Sequence, residues 1–430
     1  MPWSLLNREN RNSDGALRLP ACLRIVSRIR DSGLRRERDG ELHGCARISE
    51  SQPTCLWCMR GIKAFVDRQL GFGLSGLLFE TLHSLLSEGL VDVELEQVDQ
   101  QLAADFHDHF DHRRVQAWQP ERFEEVRVLQ CASRNHGQVQ LFVDTADHGG
   151  GSHVQLAVKK MPTAWIGTSH ADFVARHPGE TEMPWVDVGC LHYLSSMGYP
   201  YRCNLHGVFR DDLHTYVASS FIPGGDLHVW CERHPSSCIE SEPQLRLLAI
   251  QIFRAVQQLH NASVVHRDLS LENILVSEPE PGRVEVKLID FGMATARRYL
   301  GNNTRGKAGY QAPEMHGGSR HDGFLVDSFA LGVVLFALAT RQYPWRSTMP
   351  GHCRDFSYIR KHGLRAYLQR KKLVKMGSEA AGVMSESLIQ LLEGLLAMDP
   401  EKRLTLGESE SQYGSVWDEP WLIGATESQH

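Results

Sequence analysis

The feature that most constrains this chain is the stretch from Val264 to Leu275, in which Asp268 and Asn273 lie five residues apart in a predicted loop between apolar pairs. Asp290-Phe291-Gly292 follows, beginning 17 residues after Asn273. Carboxylate and amide oxygens at such positions can surround one or two Mg²⁺ ions, which prefer oxygen ligands and accept bound phosphate in the rest of their coordination shell. The pattern therefore predicts a metal and phosphate site.

The two motifs have the spacing typical of the eukaryotic-type protein kinases, and the chain resembles that family. Four further matches follow the family's order: Leu156-Ala157-Val158-Lys159, Ala312-Pro313-Glu314, Asp327 with Gly332, and Arg403. The resemblance covers about residues 123–422. It implies an α+β fold with two lobes, a small β-rich N-lobe at about 123–222 and a larger helical C-lobe at about 223–422.

Local patterns agree with this division. Alternation and β-branched content predict three strands, at Phe123 to Leu129, Gln138 to Asp144 and Val154 to Met161. Beyond residue 240 helical patterns dominate, at Gln244 to His260, Val326 to Ala339 and Ser385 to Met398.

The resemblance implies a role for each matching residue in the transfer of phosphate from ATP to protein serine or threonine hydroxyls. Asp268 would accept or orient the hydroxyl proton, Asn273 and Asp290 would hold Mg²⁺, and Lys159 would fix the nucleotide phosphates. The adenine and ribose would be bound by further residues of the alignment: Val139, Ala157 and Leu275 around the ring, the backbone of Ser220 to Ile222, Asp226 at the ribose, and Ser219 behind the adenine.

Two departures concern the nucleotide. Ala132, Arg134 and Gly137 occupy the positions of the family's three loop glycines, so Gly137 alone is retained there for close approach to phosphate. The acid that pairs with Lys159 is also not obvious. Pro184 suits the first turn of a helix, which places Asp187 inside that helix and Glu182 before it. We favour Asp187 and keep Glu182 as the alternative.

A third departure lies beside the acceptor site. The Lys usually found two residues after the catalytic Asp is Ser270, and the Thr usually found in the activation segment is Lys307. We interpret this as an exchange of sides, in which Lys307 supplies the ammonium and Ser270 the hydroxyl. Arg267 is typical of kinases that respond to an activation-loop phosphate. Thr304 is the best-placed acceptor, although Asn303 occupies the usual acceptor position, so order without phosphate is the alternative.

The first 122 residues differ from the rest. Residues 1–61 contain 11 Arg and no Lys and show no apolar periodicity, which predicts a disordered Arg-rich tail. Residues 62–122 are interpreted as a short helical accessory segment and an acidic linker, which could bind a regulatory partner. Two groups resemble metal ligands: His43 with Cys45, Cys55 and Cys58, and His107 with His109 and His112. Free thiols and a solvated linker are the respective alternatives.

Composition limits the remaining function classes. The formal net charge of −6 is too close to zero for binding of nucleic acid by overall charge. The uncharged stretch from Ser328 to Thr340 is too short for a membrane span, and dispersed cysteines favour the cytoplasm, with the nucleus as second choice. A pseudokinase scaffold that acts through protein contacts is the alternative to an active enzyme. A small-molecule phosphotransferase is disfavoured by Ala312-Pro313-Glu314 and Arg403.

Overall fold

The structure, a computed structural model, describes residues 106–132, 136–146, 153–233, 242–280, 283–301, 304–371, 384–408 and 414–423. Several predictions of the sequence lie outside these ranges: the tail at 1–61, most of the helical segment, the group with Cys45, Cys55 and Cys58, and residues Arg134 and Asn303.

The small lobe is built on a six-stranded sheet with the strand order β1-β5-β6-β4-β3-β2. Its strands are β1 Gln116–Ala117, β2 Phe123–Ala132, β3 Gly137–Asp144, β4 Val154–Pro162, β5 Leu205–Arg210 and β6 His214–Ser220. The three strands predicted from alternation are confirmed, each slightly longer than predicted. All neighbours pair antiparallel except β1 and β5, which are parallel. The sheet therefore begins before the predicted boundary at residue 123.

Three helices connect β4 to β5: α1 Thr163–Ile166, α2 His170–Arg176 and α3 Pro184–Ser196. Pro184 occupies the first turn of α3, where its fixed φ and missing N–H cost nothing. Unlike an ordinary surface helix, α3 has buried residues on all sides, from Pro184 through Leu191. Such a helix must be covered on two faces.

Residues 106–114, which the sequence analysis assigned to an acidic linker, are packed against the small lobe. Short 3₁₀ helices at Phe106–His109 and His112–Arg114 pack against α3, and Phe106 and Phe110 are buried. The ring of His107 stacks on His170 at 3.8 Å, and that of His112 meets Trp185 edge-on at 4.3 Å. The described residues contain no group of three His, Cys, Asp or Glu side chains arranged for a metal ion.

The large lobe is mainly helical. It contains the helices α4 Leu227–Arg233, α5 Glu242–Asn261, α6 Gly323–Thr340, α7 Arg354–His362, α8 Leu364–Arg370, α9 Glu386–Leu395 and α10 Pro420–Ile423, and the strand pairs β7 Ile274–Glu280 with β8 Arg283–Leu288 and β9 Tyr299–Leu300 with β10 His321–Asp322. The three helical patterns of the sequence are confirmed as α5, α6 and α9.

The core of the large lobe surrounds α6. Within the described residues, α6 is the one helix long and apolar enough to cross a membrane, and all of its residues are buried inside the lobe. Helix α5 packs one face on it, since Leu248, Ile252 and Val256 recur at helical spacing and are buried. Burying each such side chain contributes roughly 1.5–3 kcal/mol. This packing fixes α6 as the base on which the loop after α5 is anchored.

Candidate active site

Lys159 on β4 lies at the centre of three carboxylates. Its Nζ donates a hydrogen bond to Glu182 Oε1 at 3.1 Å, and Asp187 Oδ2 and Asp290 Oδ1 lie 3.7 and 3.8 Å away. Glu182 comes just before α3, Asp187 lies in its first turn, and Asp290 follows β8. The cluster therefore joins the sheet, α3 and the large lobe at one ammonium group.

The preference for Asp187 as the partner of Lys159 is corrected by this geometry. Glu182 makes the direct hydrogen bond. The chain beside it is held by the N–H of Met183, which donates to the Gly292 carbonyl at 2.9 Å. Asp187 is a second, longer contact, and its Oδ1 accepts a hydrogen bond from the backbone N–H of Phe291 at 2.9 Å. Asp187 thus connects α3 to the Asp290-Phe291-Gly292 segment.

The charges of this cluster depend on one another. Burial by itself lowers the pKa of Lys159, but Asp290, Asp187 and Glu182 outweigh it and leave the pKa raised. Burial raises the pKa of Asp187 to about 6, although Lys159 acts against this. The lysine is therefore held as a cation, and the excess of negative charge around it suits a further cation nearby.

Asp290 has the properties of a metal ligand. It adopts a left-handed backbone conformation with φ 64°, which is uncommon for a residue with a Cβ and clusters at functional sites. Its buried Oδ1 has no hydrogen-bond partner. Asn273 donates through Nδ2, which leaves its Oδ1 as the atom for an ion. Oxygen donors of this kind fit Mg²⁺.

Asp268 is held by donors on both carboxylate oxygens. Oδ1 accepts the backbone N–H of Lys307 at 3.1 Å, and Oδ2 accepts Asn273 Nδ2 at 3.1 Å. The same Nδ2 also donates to the carbonyl oxygen of Asp268 at 2.7 Å. Asp268 is only 4 % exposed, so these contacts fix the orientation of its carboxylate. The structure brings together Asp268, Asn273 and Lys307, which the sequence placed in one site.

Lys307 and Ser270 are in direct contact. The ammonium Nζ donates to Ser270 Oγ at 2.5 Å and lies 3.2 Å from Glu272 Oε2. Burial acts to raise the pKa of Glu272, but Lys307 and hydrogen bonds outweigh it and leave the pKa lowered. Sequence reasoning missed Glu272, although its position two residues after Ser270 gave a signal.

The loop that carries Asp268 is fixed from below by α6. Asp327, 1 % exposed, accepts the backbone N–H of His266 at 2.8 Å and that of Arg267 at 2.9 Å. Its Oδ2 also contacts His260 Nε2 at 3.1 Å, and His260 Nδ1 lies 2.6 Å from Glu408 Oε1. A buried chain of ionisable groups therefore reaches from Glu408 to the backbone beside Asp268.

Arg267 faces a second arginine. Burial, and then the nearby Arg305, lower the pKa of Arg267 to about 10. Both line a small cavity beside Asp268. The Thr304 hydroxyl, the predicted acceptor, donates to the Met315 carbonyl at 3.0 Å and so stabilises the segment without phosphate. Modification of Thr304 would require that bond to break.

Three of the residues predicted to lie around the adenine, Val139, Ala157 and Ser219, share one face of the six-stranded sheet. Val139 pairs with Lys159 across β3 and β4, and Ala157 pairs with Ser219 across β4 and β6. Since residues two apart on a strand point to the same side, Val139, Ala157 and Ser219 lie beside Lys159. Ser219 Oγ donates to the Ala157 carbonyl at 3.3 Å.

The remaining predicted nucleotide residues lie between the lobes. Ser220 ends β6, and Ile222 lies in the turn that leads to α4. Asp226 forms an isolated bridge with Leu275 on β7, and its Oδ1 caps α4 by accepting the Val229 N–H at 2.8 Å. Asp226 therefore has a structural use besides the predicted ribose contact.

Gly137 is explained by packing within the sheet. A Cβ at this position would lie 2.2 Å from the Lys160 carbonyl oxygen, so only glycine fits there. Its predicted contact with phosphate is not needed to account for it.

A buried ion pair supports the far side of the site. Arg403, fully buried, donates to both carboxylate oxygens of Glu314, at 2.5 and 2.9 Å, and to the carbonyls of Leu325 and Ala397. The guanidinium is therefore satisfied on every side, as a buried charge must be.

Comparison with known proteins agrees with these features. Residues 189–421 match the family model described as the protein kinase domain. The match begins inside α3, so it includes Asp268, Asn273, Asp290 and Lys307 but not Lys159.

Curated proteins similar to the chain include a serine/threonine-protein kinase and other kinases. Serine/threonine-protein kinase SBK1 of Danio rerio is 30 % identical over 236 residues, which are 54 % of this chain and 57 % of that protein. Ribosomal protein S6 kinase alpha-4 of Homo sapiens is 33 % identical over 228 residues, 51 % of this chain and 27 % of that protein. Protein kinase kin1 of Schizosaccharomyces pombe is 30 % identical over 227 residues, which are 52 % of this chain and 22 % of that protein. The chain thus spans about half or less of each relative.

Proposed function

Because the chain belongs to the protein kinase family, we propose that it is an active enzyme that transfers the γ-phosphate of ATP to serine or threonine hydroxyls of protein substrates. One observation carries this proposal. Lys159 and Asp268 each lie in a full set of partners, three carboxylates around the first and two oriented donors on the second. These are the charges and the base that phosphoryl transfer needs, since its transition state is stabilised mainly by position and charge.

Mg²⁺ fits the oxygens of Asp290 and Asn273. The ion would neutralise charge on the nucleotide phosphates. Lys159 supplies a further positive charge, and its hydrogen bond to Glu182 keeps the ammonium directed into the space between the lobes.

Asp268 is proposed to orient the substrate hydroxyl and to accept its proton. Its two oxygens are fixed by Lys307 and Asn273, so the carboxylate does not need to reorganise when the hydroxyl arrives.

Lys307 is proposed to supply the positive charge that Ser270 lacks. The contact of Nζ with Ser270 Oγ at 2.5 Å, next to Asp268, supports an exchange of sides between the two positions. Glu272 holds the ammonium from the other side, so Lys307 is positioned before substrate binds.

A protein substrate is favoured over a small molecule. The Arg403 and Glu314 pair fixes the segment after Lys307 against α6, which gives a rigid surface beside Asp268. The three similar proteins named above are a serine/threonine-protein kinase, a ribosomal protein S6 kinase and a protein kinase.

One observation favours a second candidate, a nucleotide-binding scaffold without turnover. Gly137 is the one glycine that the sequence retains at the three glycine positions of that loop, and its close contact with the Lys160 carbonyl accounts for it without phosphate.

The test is transfer of radiolabelled γ-phosphate from Mg-ATP to a generic protein substrate and to the chain itself, followed by phosphoamino-acid analysis. We expect phosphoserine or phosphothreonine. Phosphotyrosine alone would contradict the proposed specificity. Nucleotide binding with no transfer would support the scaffold instead.

A further inference from the structure

We propose that residues 106–118, which we call the brace, position the two carboxylates that bind Lys159 by holding α3 against the sheet. The consequence for nucleotide binding rests on the proposed function, whereas the effect on Lys159 itself does not. Phe106, Gly189 and Arg114 are the positioning residues of this arrangement.

The brace approaches the backbone of α3 at Gly189. A Cβ on Gly189 would lie 2.0 Å from the carbonyl oxygen of Phe106, so no other residue fits without displacing the brace. Glycine inside a helix costs about 1 kcal/mol relative to alanine. The close contact with Phe106 gives a physical reason why glycine occupies position 189, although alanine would favour the helix more.

Side chains of the brace cover more than two turns of α3. Phe106 is 3 % exposed and its ring lies 5.4 Å from that of Tyr193. His112 contacts Trp185, and Arg114 Nη1 lies 3.1 Å from His192 Nε2. Together these contacts hold the outer face of the helix.

The other end of the brace is fixed to the sheet. β1 pairs in parallel with β5, so that Ala117 lies opposite Arg210. The backbone N–H of Trp118 donates to the Arg210 carbonyl at 2.8 Å, and its ring stacks on Tyr216 at 3.9 Å. Since β5 and the outer face of α3 are both bound by the brace, the distance of the helix from the sheet is set by this segment.

That distance decides the contacts of Lys159. Glu182 lies two residues before the start of α3 and Asp187 lies in its first turn, whereas Lys159 belongs to β4. A shift of the helix by one or two ångströms would lengthen the 3.1 and 3.7 Å contacts beyond ion-pair range. It would also strain the hydrogen bond between Asp187 and the Phe291 N–H.

The test compares Gly189→Ala with Gly179→Ala in the full chain, since a Cβ at Gly179 meets no atom within 4 Å. Lys159 reactivity is measured by limited acetylation with acetic anhydride and mass spectrometry, and KM for ATP by phosphate transfer. We expect Gly189→Ala to acetylate several-fold faster at Lys159, with the exposed Lys361 unchanged, and to raise KM for ATP about tenfold with a smaller change in kcat. Alanine favours helix, so lost helix propensity cannot cause this result.

A second pair of variants, with smaller structural changes, keeps the test valid if Gly189→Ala unfolds. Arg114→Ala removes the contact with His192, whereas Arg113→Ala removes a side chain that bonds to Asp111 at the surface. We expect faster Lys159 acetylation in Arg114→Ala only. Unchanged Lys159 acetylation in both Gly189→Ala and Arg114→Ala would overturn the proposal. Faster acetylation in a chain without any phosphate transfer would uphold the brace and reject the proposed enzyme activity.

Discussion

The ammonium of Lys307 lies 2.5 Å from the hydroxyl of Ser270, on the side of the loop that carries Asp268. The two residues are 37 positions apart in the chain. The resemblance leads us to expect an ammonium at position 270 and a hydroxyl at position 307, and here the two groups are exchanged. A positive charge is therefore present at this place although the loop itself does not supply it.

Loss of that charge should slow transfer. We expect Lys307→Met to lower kcat by about 10²- to 10³-fold, as is typical when one charge contact to a transition state is removed. Steady-state kinetics with a protein substrate measures this, and Lys361→Met, at an exposed position, is the control.

The exchange of sides can be tested by restoring the usual pair. The double variant Ser270→Lys with Lys307→Thr should recover activity that Lys307→Thr alone loses, because the ammonium returns to the same space. Equal loss in the single and double variants would show that Lys307 acts in some other way.

Removal of the direct partner of Lys159 should weaken nucleotide use. Glu182→Gln keeps the shape but removes the charge, while Asp187 and Asp290 still face the lysine. We therefore expect kcat/KM for ATP to fall by about tenfold, equal to ~1.4 kcal/mol. Asp187→Asn is a less specific test of the lysine contact, because Asp187 Oδ1 also accepts a hydrogen bond from the Phe291 N–H. No effect of Glu182→Gln on kcat/KM would contradict its assignment as the partner.

The buried His260 predicts a pH dependence of stability. Burial by itself lowers its pKa, but the hydrogen bonds to Asp327 and Glu408 outweigh it and raise the pKa from 6.5 to about 9. A folded-state pKa above the unfolded value gives stability that is fully present below pH 6.5 and is lost as the pH rises through about 9. The contribution is on the order of 3 kcal/mol.

Urea unfolding between about pH 6 and about pH 10 measures this loss. We expect Glu408→Gln to be less stable near neutral pH and to show a smaller decline across that range, since one of the two acids is gone. If the free energy of unfolding depends on pH in the same way in the native chain and in Glu408→Gln, Glu408 does not stabilise the charged imidazole of His260.

The ion pair of Arg403 and Glu314 should contribute far more than a surface pair. Arg403→Met leaves the partly buried Glu314 without its cation, and we expect a loss of about 3–5 kcal/mol in the free energy of unfolding. Arg365 pairs with Glu386 and Glu393 at the surface, so Arg365→Met should cost less than about 1 kcal/mol. Similar losses in the free energy of unfolding for Arg403→Met and Arg365→Met would contradict the claim that burial makes the Arg403 pair the stronger one.

The sequence predicted the part of the site that is local in the chain. Asp268 and Asn273 share one loop, and their spacing largely determines how close they lie. The strands around Lys159 were also predictable, because their alternation reflects which side is buried.

The parts it did not predict depend on contacts between distant segments. Glu182 reaches Lys159 because of the path of the chain before α3, which no periodicity records. The brace has no helical or alternating pattern, and its parallel pairing with β5 joins residues more than ninety positions apart. Gly189 was the one available signal, as a glycine inside a predicted helix indicates a close contact.

The most direct test of the account is single-turnover transfer of labelled γ-phosphate by the native chain and by Asp268→Asn, with binding of a fluorescent ATP analogue measured in both. We expect the variant to bind the nucleotide as the native chain does and to transfer phosphate about 10²- to 10⁴-fold more slowly, the range for loss of a general base. Equal transfer by the two proteins, or none by the native chain, would contradict the proposal that Asp268 is the base of an active protein kinase.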